Sequence, residues 1–218
     1  MRLPRILLVL SVLMAWFVAN GLDPSAVRAE EKWKQSYEGV KPGTWYLGVR
    51  AGFTPLTQEL ARNTDTDVGS LLNFQAMYAV NKWLFLGMMI EWERHSVDTE
   101  RPSLNLGHLD TVSVLPTLEL RPFRAGPISP YANMSFGVNV NGFGEDRDNI
   151  GNTTISPSNN FAWRLGWGAD YALTEQLALN VEMAYKRNDG HVTIGNVRSD
   201  DWNASSFGFL VGIRLFFF

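Results

Sequence analysis

Residues 205–218 constrain the fold more than any other stretch of this sequence. Read alternately, Phe207, Phe209, Val211, Ile213, Leu215 and Phe217 are large and apolar. Gly208, Leu210, Gly212, Arg214 and Phe216 lie between them. A strand repeats every two residues, so the two sets fall on opposite faces. One face is continuously oily, and the other carries glycines and an arginine. In a soluble sheet the oily face would need a second layer, and the sequence ends here without supplying one. In a membrane the lipid covers it.

The same alternation recurs seven more times. The first segment puts Trp45, Leu47, Val49, Ala51 and Phe53 on one face, with Tyr46, Gly48, Arg50 and Gly52 opposite. The second puts Leu72, Phe74, Ala76, Tyr78 and Val80 outward, and the third Leu84, Leu86, Met88, Ile90 and Trp92, with Glu91 and Glu93 inward. In the fourth, Val112, Val114, Pro116, Leu118 and Leu120 face out while Glu119 and Arg121 face in. Pro116 lacks the N–H that a ladder needs, which predicts a bulge or local irregularity there. The fifth runs from Ala132 to Val140. The sixth sets Phe161, Trp163, Leu165, Trp167 and Tyr171 against Arg164 and Asp170. The seventh sets Leu177, Leu179, Val181, Met183 and Tyr185 against Asn180, Glu182 and Lys186.

Eight alternating segments predict an all-β fold, an eight-stranded antiparallel up-and-down transmembrane barrel. The connections run alternately long and short. The expected long ones run through Asn63-Thr64-Asp65-Thr66-Asp67 and over about 96–108, 142–158 and 188–203; the short ones centre on Asn81-Lys82, on 124–127 and on Thr174-Glu175-Gln176. Short turns belong in the periplasm and long loops outside. Trp45, Tyr78, Tyr171 and Phe217 then form an aromatic belt on the short-turn side, and Trp92 and Trp163 one on the other. Trp83 sits at belt height, but alternation assigns it to the inner face. A lipocalin-like soluble barrel would invert the pattern, with its apolar face inward.

The start of the chain agrees with export. Arg2 and Arg5 precede an apolar run over 6–18, and Val27-Arg28-Ala29 supplies small residues before the charged start at Glu30. That order predicts a signal peptide over 1–29, too short in its apolar part to span a membrane. A polar periplasmic tail over 30–43 and a barrel over 44–218 follow. Cleavage after Ala29 would leave 16 basic and 21 acidic residues, a net charge of −5, which argues against nucleic acid as a partner. With no cysteine there are no disulfides and no thiolate metal sites. No catalytic residue, metal or cofactor is expected.

Ten inward residues are ionisable: Arg50, Arg121, Arg164, Lys186 and Arg214 against Glu91, Glu93, Glu119, Asp170 and Glu182. Eight strands enclose a lumen only just wide enough for side chains. Charges confined there must pair, which predicts a salt-bridged core or, if pairs rearrange, a polar path. His95, His108 and His191 fall at strand ends or in loops, where they could meet at the outer rim or simply be solvated. Asp146-Arg147-Asp148 fails the calcium-loop pattern, since the fifth position is Ile150 and the twelfth Pro157.

A terminal strand ending in Phe resembles the closing strand of bacterial outer-membrane barrels, whose final Phe is read by the barrel assembly machinery. Here alternation puts Phe217 outward, so Phe218 falls inward or overhangs the rim. Leu115-Pro116-Thr117-Leu118, Pro130-Tyr131 leading to Gly137, Phe161-Ala162-Trp163 leading to Gly168-Ala169-Asp170-Tyr171, and Gly212-Ile213-Arg214 resemble the OmpW family. The resemblance covers about 115–218. It implies an outer-membrane location, with lipid and lipopolysaccharide around the barrel, and a narrow channel or transporter for small, largely hydrophobic molecules. The charged interior departs from an apolar channel. Two other function classes stand beside it: a structural or adhesive barrel with a plugged lumen and ligand-binding surface loops, and an outer-membrane lipid A-modifying enzyme. The enzyme needs a Ser and a His close together with an acid orienting the His. His95 and Ser96 are adjacent and so point to opposite faces of a strand.

Overall fold

The computed structural model describes residues 40–58, 60, 64–99, 105–123, 126–146, 154–195 and 197–218. The signal peptide and most of the tail expected over 30–43 lie outside the described residues, as do Arg147 and Asp148. Among those described, the strands are β1 (Trp45–Thr54), β2 (Thr64–Thr66), β3 (Gly69–Ala79), β4 (Leu84–Thr99), β5 (Asn105–Leu120), β6 (Ile128–Glu145), β7 (Ile155–Pro157), β8 (Asn160–Ala172), β9 (Leu177–Arg187), β10 (Asp189–Ile194), β11 (Val197–Asn203) and β12 (Ser206–Phe217).

Eight of these close into a ring in the order β1, β3, β4, β5, β6, β8, β9, β12, and every pairing is antiparallel. One circuit of the register starts at Tyr46 and passes Met77, Gly87, Thr117, Ser135, Arg164, Lys186 and Ser206. It returns to the first strand's chain at Leu56, ten residues beyond Tyr46. A stagger of that size tilts the strands steeply, and an eight-stranded ring then leaves an interior filled by side chains.

The two faces separate as alternation requires. Leu47 (50% exposed), Phe74 (47%), Ile90 (48%), Leu179 (44%) and Val211 (62%) point outward, while Arg50, Asn73, Glu91, Asn180 and Arg214 are buried inside. The short turns are built by side-chain capping. Asn81 Oδ1 accepts from the backbone N–H groups of Trp83 (2.8 Å) and Leu84 (3.0 Å), and Thr174 Oγ1 accepts from those of Gln176 (3.2 Å) and Leu177 (3.0 Å). Such side-chain turns replace a backbone turn and so fix the hairpin register. Gly52 is required by crowding, because a Cβ there would strike the Phe209 carbonyl across the β1–β12 seam.

Several expectations need correction. The described residues of the connections expected over 96–108, 142–158 and 188–203 are largely strand. β4 and β5 run on as a hairpin to Asp98 and Asn105, β6 extends to Glu145, and β10–β11 keeps the register of the β9–β12 ladder as far as His191–Asp201, then shifts by one residue before Thr193. β2 continues β3 along β4 after a one-residue shift near Asp67. At Pro116 the expected irregularity is present, as a gap in the ladder rather than a bulge. The β5–β6 ladder skips Leu115 and Pro116 and resumes at Thr117 with its register unchanged. Trp83 is not inward: it lies in the turn, 55% exposed, with Lys82 Nζ 5.1 Å from its ring. Phe218 lies beyond β12 and is 63% exposed, so it overhangs the rim.

Candidate functional site: the charged lumen

The lumen is layered. At the short-turn end Tyr46, Met77, Ala79, Phe85, Ala178 and Phe216 form an apolar layer, with Val40 of the tail packed against it. Tyr46 stacks obliquely on Phe85 (5.5 Å between centroids) and Phe216 (5.3 Å). Its hydroxyl reaches up to donate to Glu119 Oε2 at 2.7 Å. At the opposite end Leu60, Val97, Leu109, Trp202 and Ala204 form a second apolar layer. The ten charged residues lie between, all at least nine-tenths buried.

They divide into two clusters. Near the short-turn end Glu119, Arg121, Asp170 and Arg214 make a closed square. Arg121 Nη2 lies 2.7 Å from Glu119 and 2.8 Å from Asp170, and Arg214 lies 3.0 Å from Glu119 and 2.9 Å from Asp170. Each cation bridges both anions. The guanidinium carbons also sit over rings, Arg214 4.2 Å from Tyr131 and Arg121 4.8 Å from Phe85. Planar guanidinium suits this double duty, since it pairs in its plane and stacks across it.

Further along the lumen the charges form an open string. Arg50 pairs with Glu182; Glu182 with Arg164 (2.6 Å); Arg164 with Glu91 (3.1 Å); Glu91 with Lys186 (3.2 Å); and Lys186 with Glu93 (3.0 Å). Asn73 and Asn133 occupy remaining lone pairs and donors, Asn73 donating to Glu91 at 3.0 Å and Asn133 to Glu182 at 2.7 Å. Buried charges cost several kcal/mol each unless paired and hydrogen-bonded, so this satisfaction is what makes the interior tenable. Met89, Leu115 and Ala162 add a small apolar cluster to the lumen wall.

The histidines do not meet. His95 is 1% exposed inside the lumen, its Nε2 3.9 Å from Glu93. His108, half-exposed, lies 3.4 Å from Asp110, and His191 Nδ1 lies 2.6 Å from Asp201. No three metal-ligating side chains gather among the described residues. Ser206 does approach an acid and a histidine, but Glu93 stands between them. The Ser206 hydroxyl donates to Glu93 at 3.2 Å, which leaves it no base. A nucleophile needs the histidine in the middle.

The belt residues lie on the outer face. Trp45 and Tyr78 are in contact across β1–β3 (4.9 Å), and Tyr171 and Phe217 are half-exposed on the same side. Towards the other end Trp163 meets Tyr185 at a tilt (5.3 Å between centroids), and Trp92 Nε1 donates to Asp110 at 3.1 Å. Immediately beyond each lies a forked ion pair, Arg94–Asp110 (2.7 and 2.8 Å) and Arg187–Asp189 (2.6 and 2.9 Å). The hydrogen bond from Arg187 holds the Asp189 carboxyl below the ordinary carboxylate range. A cleft of about 540 Å³ at this end is lined by Ser96, Asn105, Gly107, His108, Gly144, Glu145 and Asp146.

Alternation alone could not have found two features. The square and the string depend on which lumen residues meet across the barrel, which the strand tilt decides. The burial of His95, Val97 and Leu109 depends on β4 and β5 rising beyond the girdle.

Solved structures share this fold. The outer membrane protein OprG from Pseudomonas aeruginosa superposes with a TM-score of 0.65 at 15% identity, over 82% of this chain and 98% of that one. Neisserial surface protein A gives 0.53 at 15% identity over 79% and 98%. The solid-state NMR structure of the outer membrane protein AlkL in DMPC bilayers gives 0.53 at 14% identity over 84% and 93%. At such identities the likeness speaks for the fold. Comparison with curated protein sequences gave no match. The sequence profile of the outer membrane protein beta-barrel domain matches residues 31–214. With a closed ring of eight antiparallel strands, an oily outer wall and a profile match over most of its length, the chain belongs to the outer membrane protein beta-barrel family and is a small eight-stranded barrel of the outer membrane.

Proposed function

We propose that this barrel works with a closed lumen, the ten charges forming an ionic core rather than a steady pore, and that ligands engage the end bearing the long connections. The observation that carries this reading is the pairing pattern. Glu119, Asp170, Glu91 and Glu182 each contact two cations, and apolar layers lie above and below them. Opening a through-path would separate several buried pairs at once, and breaking one by removing a partner already costs about 3–5 kcal/mol. The exposed end offers the cleft beside His108 and a ladder of paired Arg and Asp above the aromatic girdle.

A second reading, a narrow gated path for small solutes, has one observation in its favour. Gln75 on β3 is 5% exposed, and neither its Oε1 nor its Nε2 has a hydrogen-bond partner among the described residues. It sits between Asn73 and Met77 on the inner face, where a rearranging network would hydrate first. Proteoliposome uptake separates the readings. The closed-lumen account predicts that small sugars and amino acids enter no faster than into protein-free liposomes. Saturable entry of such solutes into vesicles holding the wild type supports the gated path instead.

A further inference from the structure

The open string ends on an incomplete residue. Among the described residues, four of the five lumen carboxylates touch two permanent cations, but Glu93 touches one, Lys186 at 3.0 Å. The place of the second is taken by His95, whose Nε2 lies 3.9 Å from the other Glu93 oxygen. That separation is too long for a hydrogen bond yet within ion-pair range. Both ring nitrogens of His95 are buried and without a hydrogen-bond partner among the described residues. A buried polar group left so is costly and calls for an explanation. Among the described residues, the ion pair that His95 makes is the one with Glu93. His95 packs on Gly69 of β3, which faces Thr54 of β1; it pairs with Leu109 of β5; and Ser206 of β12 binds Glu93. Among the described residues, the charged groups paired with it are Glu93 from its own strand and, through Glu93, Lys186 from β9.

Resting on the closed-lumen reading above, we propose that His95 is a proton-controlled latch on the long-connection end of the ionic core. Neutral, it leaves Lys186 as the one cation on Glu93 among the described residues, beside the Ser206 hydroxyl. Protonated, it supplies the missing cation and extends the alternation of Arg50, Glu182, Arg164, Glu91, Lys186 and Glu93 by one member. A histidine gains its charge when a proton binds the ring, so lowering the pH closes the latch and raising it releases it. The square at the other end has no such member and does not respond.

The test is the rate of unfolding in detergent micelles, followed by heat-modifiable gel migration at pH 5.5 and pH 8. A charge-assisted hydrogen bond gained at low pH slows wild-type unfolding about tenfold relative to pH 8. His95→Asn and His95→Gln, two variants that keep different halves of the ring's polar geometry, lose that difference. His108→Asn and His191→Asn, altered at exposed histidines, keep it. A wild type whose rate is the same at both pH values overturns the proposal, as does a full pH response in both His95 variants. Either failure leaves the closed-lumen reading standing, because that reading is tested by solute entry and not by this rate.

Discussion

The square and the string solve the same problem in different ways. Both place charges in a lumen too narrow to leave them hydrated, and both balance them, two against two in the square and three against three in the string. The square is closed: removing any corner leaves two partners under-compensated, and rings of Tyr46, Phe85 and Tyr131 wall it in. The string is open, runs up the lumen across β1, β9, β8 and β4, and ends at a histidine. On the closed-lumen proposal, the square seals the short-turn end and the open string leaves the far end adjustable.

Breaking the square is the most disruptive change expected. Glu119→Ala removes two ion pairs and the acceptor of the Tyr46 hydroxyl, leaving Arg121 and Arg214 to share Asp170. The expected loss is about 3–5 kcal/mol in reversible unfolding, reduced where water enters the space. Brief openings in a planar bilayer should accompany it. Next comes the outer wall, where Leu179→Arg puts a charge into lipid and should cost about 2–4 kcal/mol at mid-bilayer. Asn180→Arg, one residue away, faces the lumen and its cost follows the ionic neighbours. A harmless Leu179→Arg would show the register of β9 to be misassigned.

The string should yield less. Glu93→Gln removes one permanent pair at the open end and is expected to cost about 1.5–3 kcal/mol, the range for a hydrogen bond to a charged group. If Glu93→Gln proved as damaging as Glu119→Ala, the distinction between a closed and an open cluster would fail. The smallest effect on stability is expected of cysteines placed for labelling at the two ends. One at Gly195 should react with an impermeant reagent on intact cells, and one at Glu175 should not. Equal labelling would reverse the orientation assigned from turn length.

The wall of the barrel was legible because lipid forces a period of two. Every outward residue in the membrane must be apolar, so Leu47, Val49, Leu179 and Val181 announce their face without any partner being known. The inner charges were legible by the same parity. Their pairing was not, because residues such as Arg50 and Glu182 meet across the lumen, and no local pattern records that contact. The extended strands were missed for a different reason. Beyond the girdle, water replaces lipid and the alternation inverts: Val97 and Leu109 turn inward, while Ser96, Asp98 and Asp110 face out. Polar residues at every second position resembled loop, when the reversed sign was itself the signal. His95 sits at that inversion, which is why it was expected near the rim and lies instead against Glu93.

Single-channel recording of the wild-type barrel in a planar bilayer shows whether the ionic core keeps the lumen closed. A closed lumen gives a silent baseline at neutral pH, without stable steps, and brief openings only when a corner of the square is removed. Stable, porin-sized currents from the wild type would contradict it.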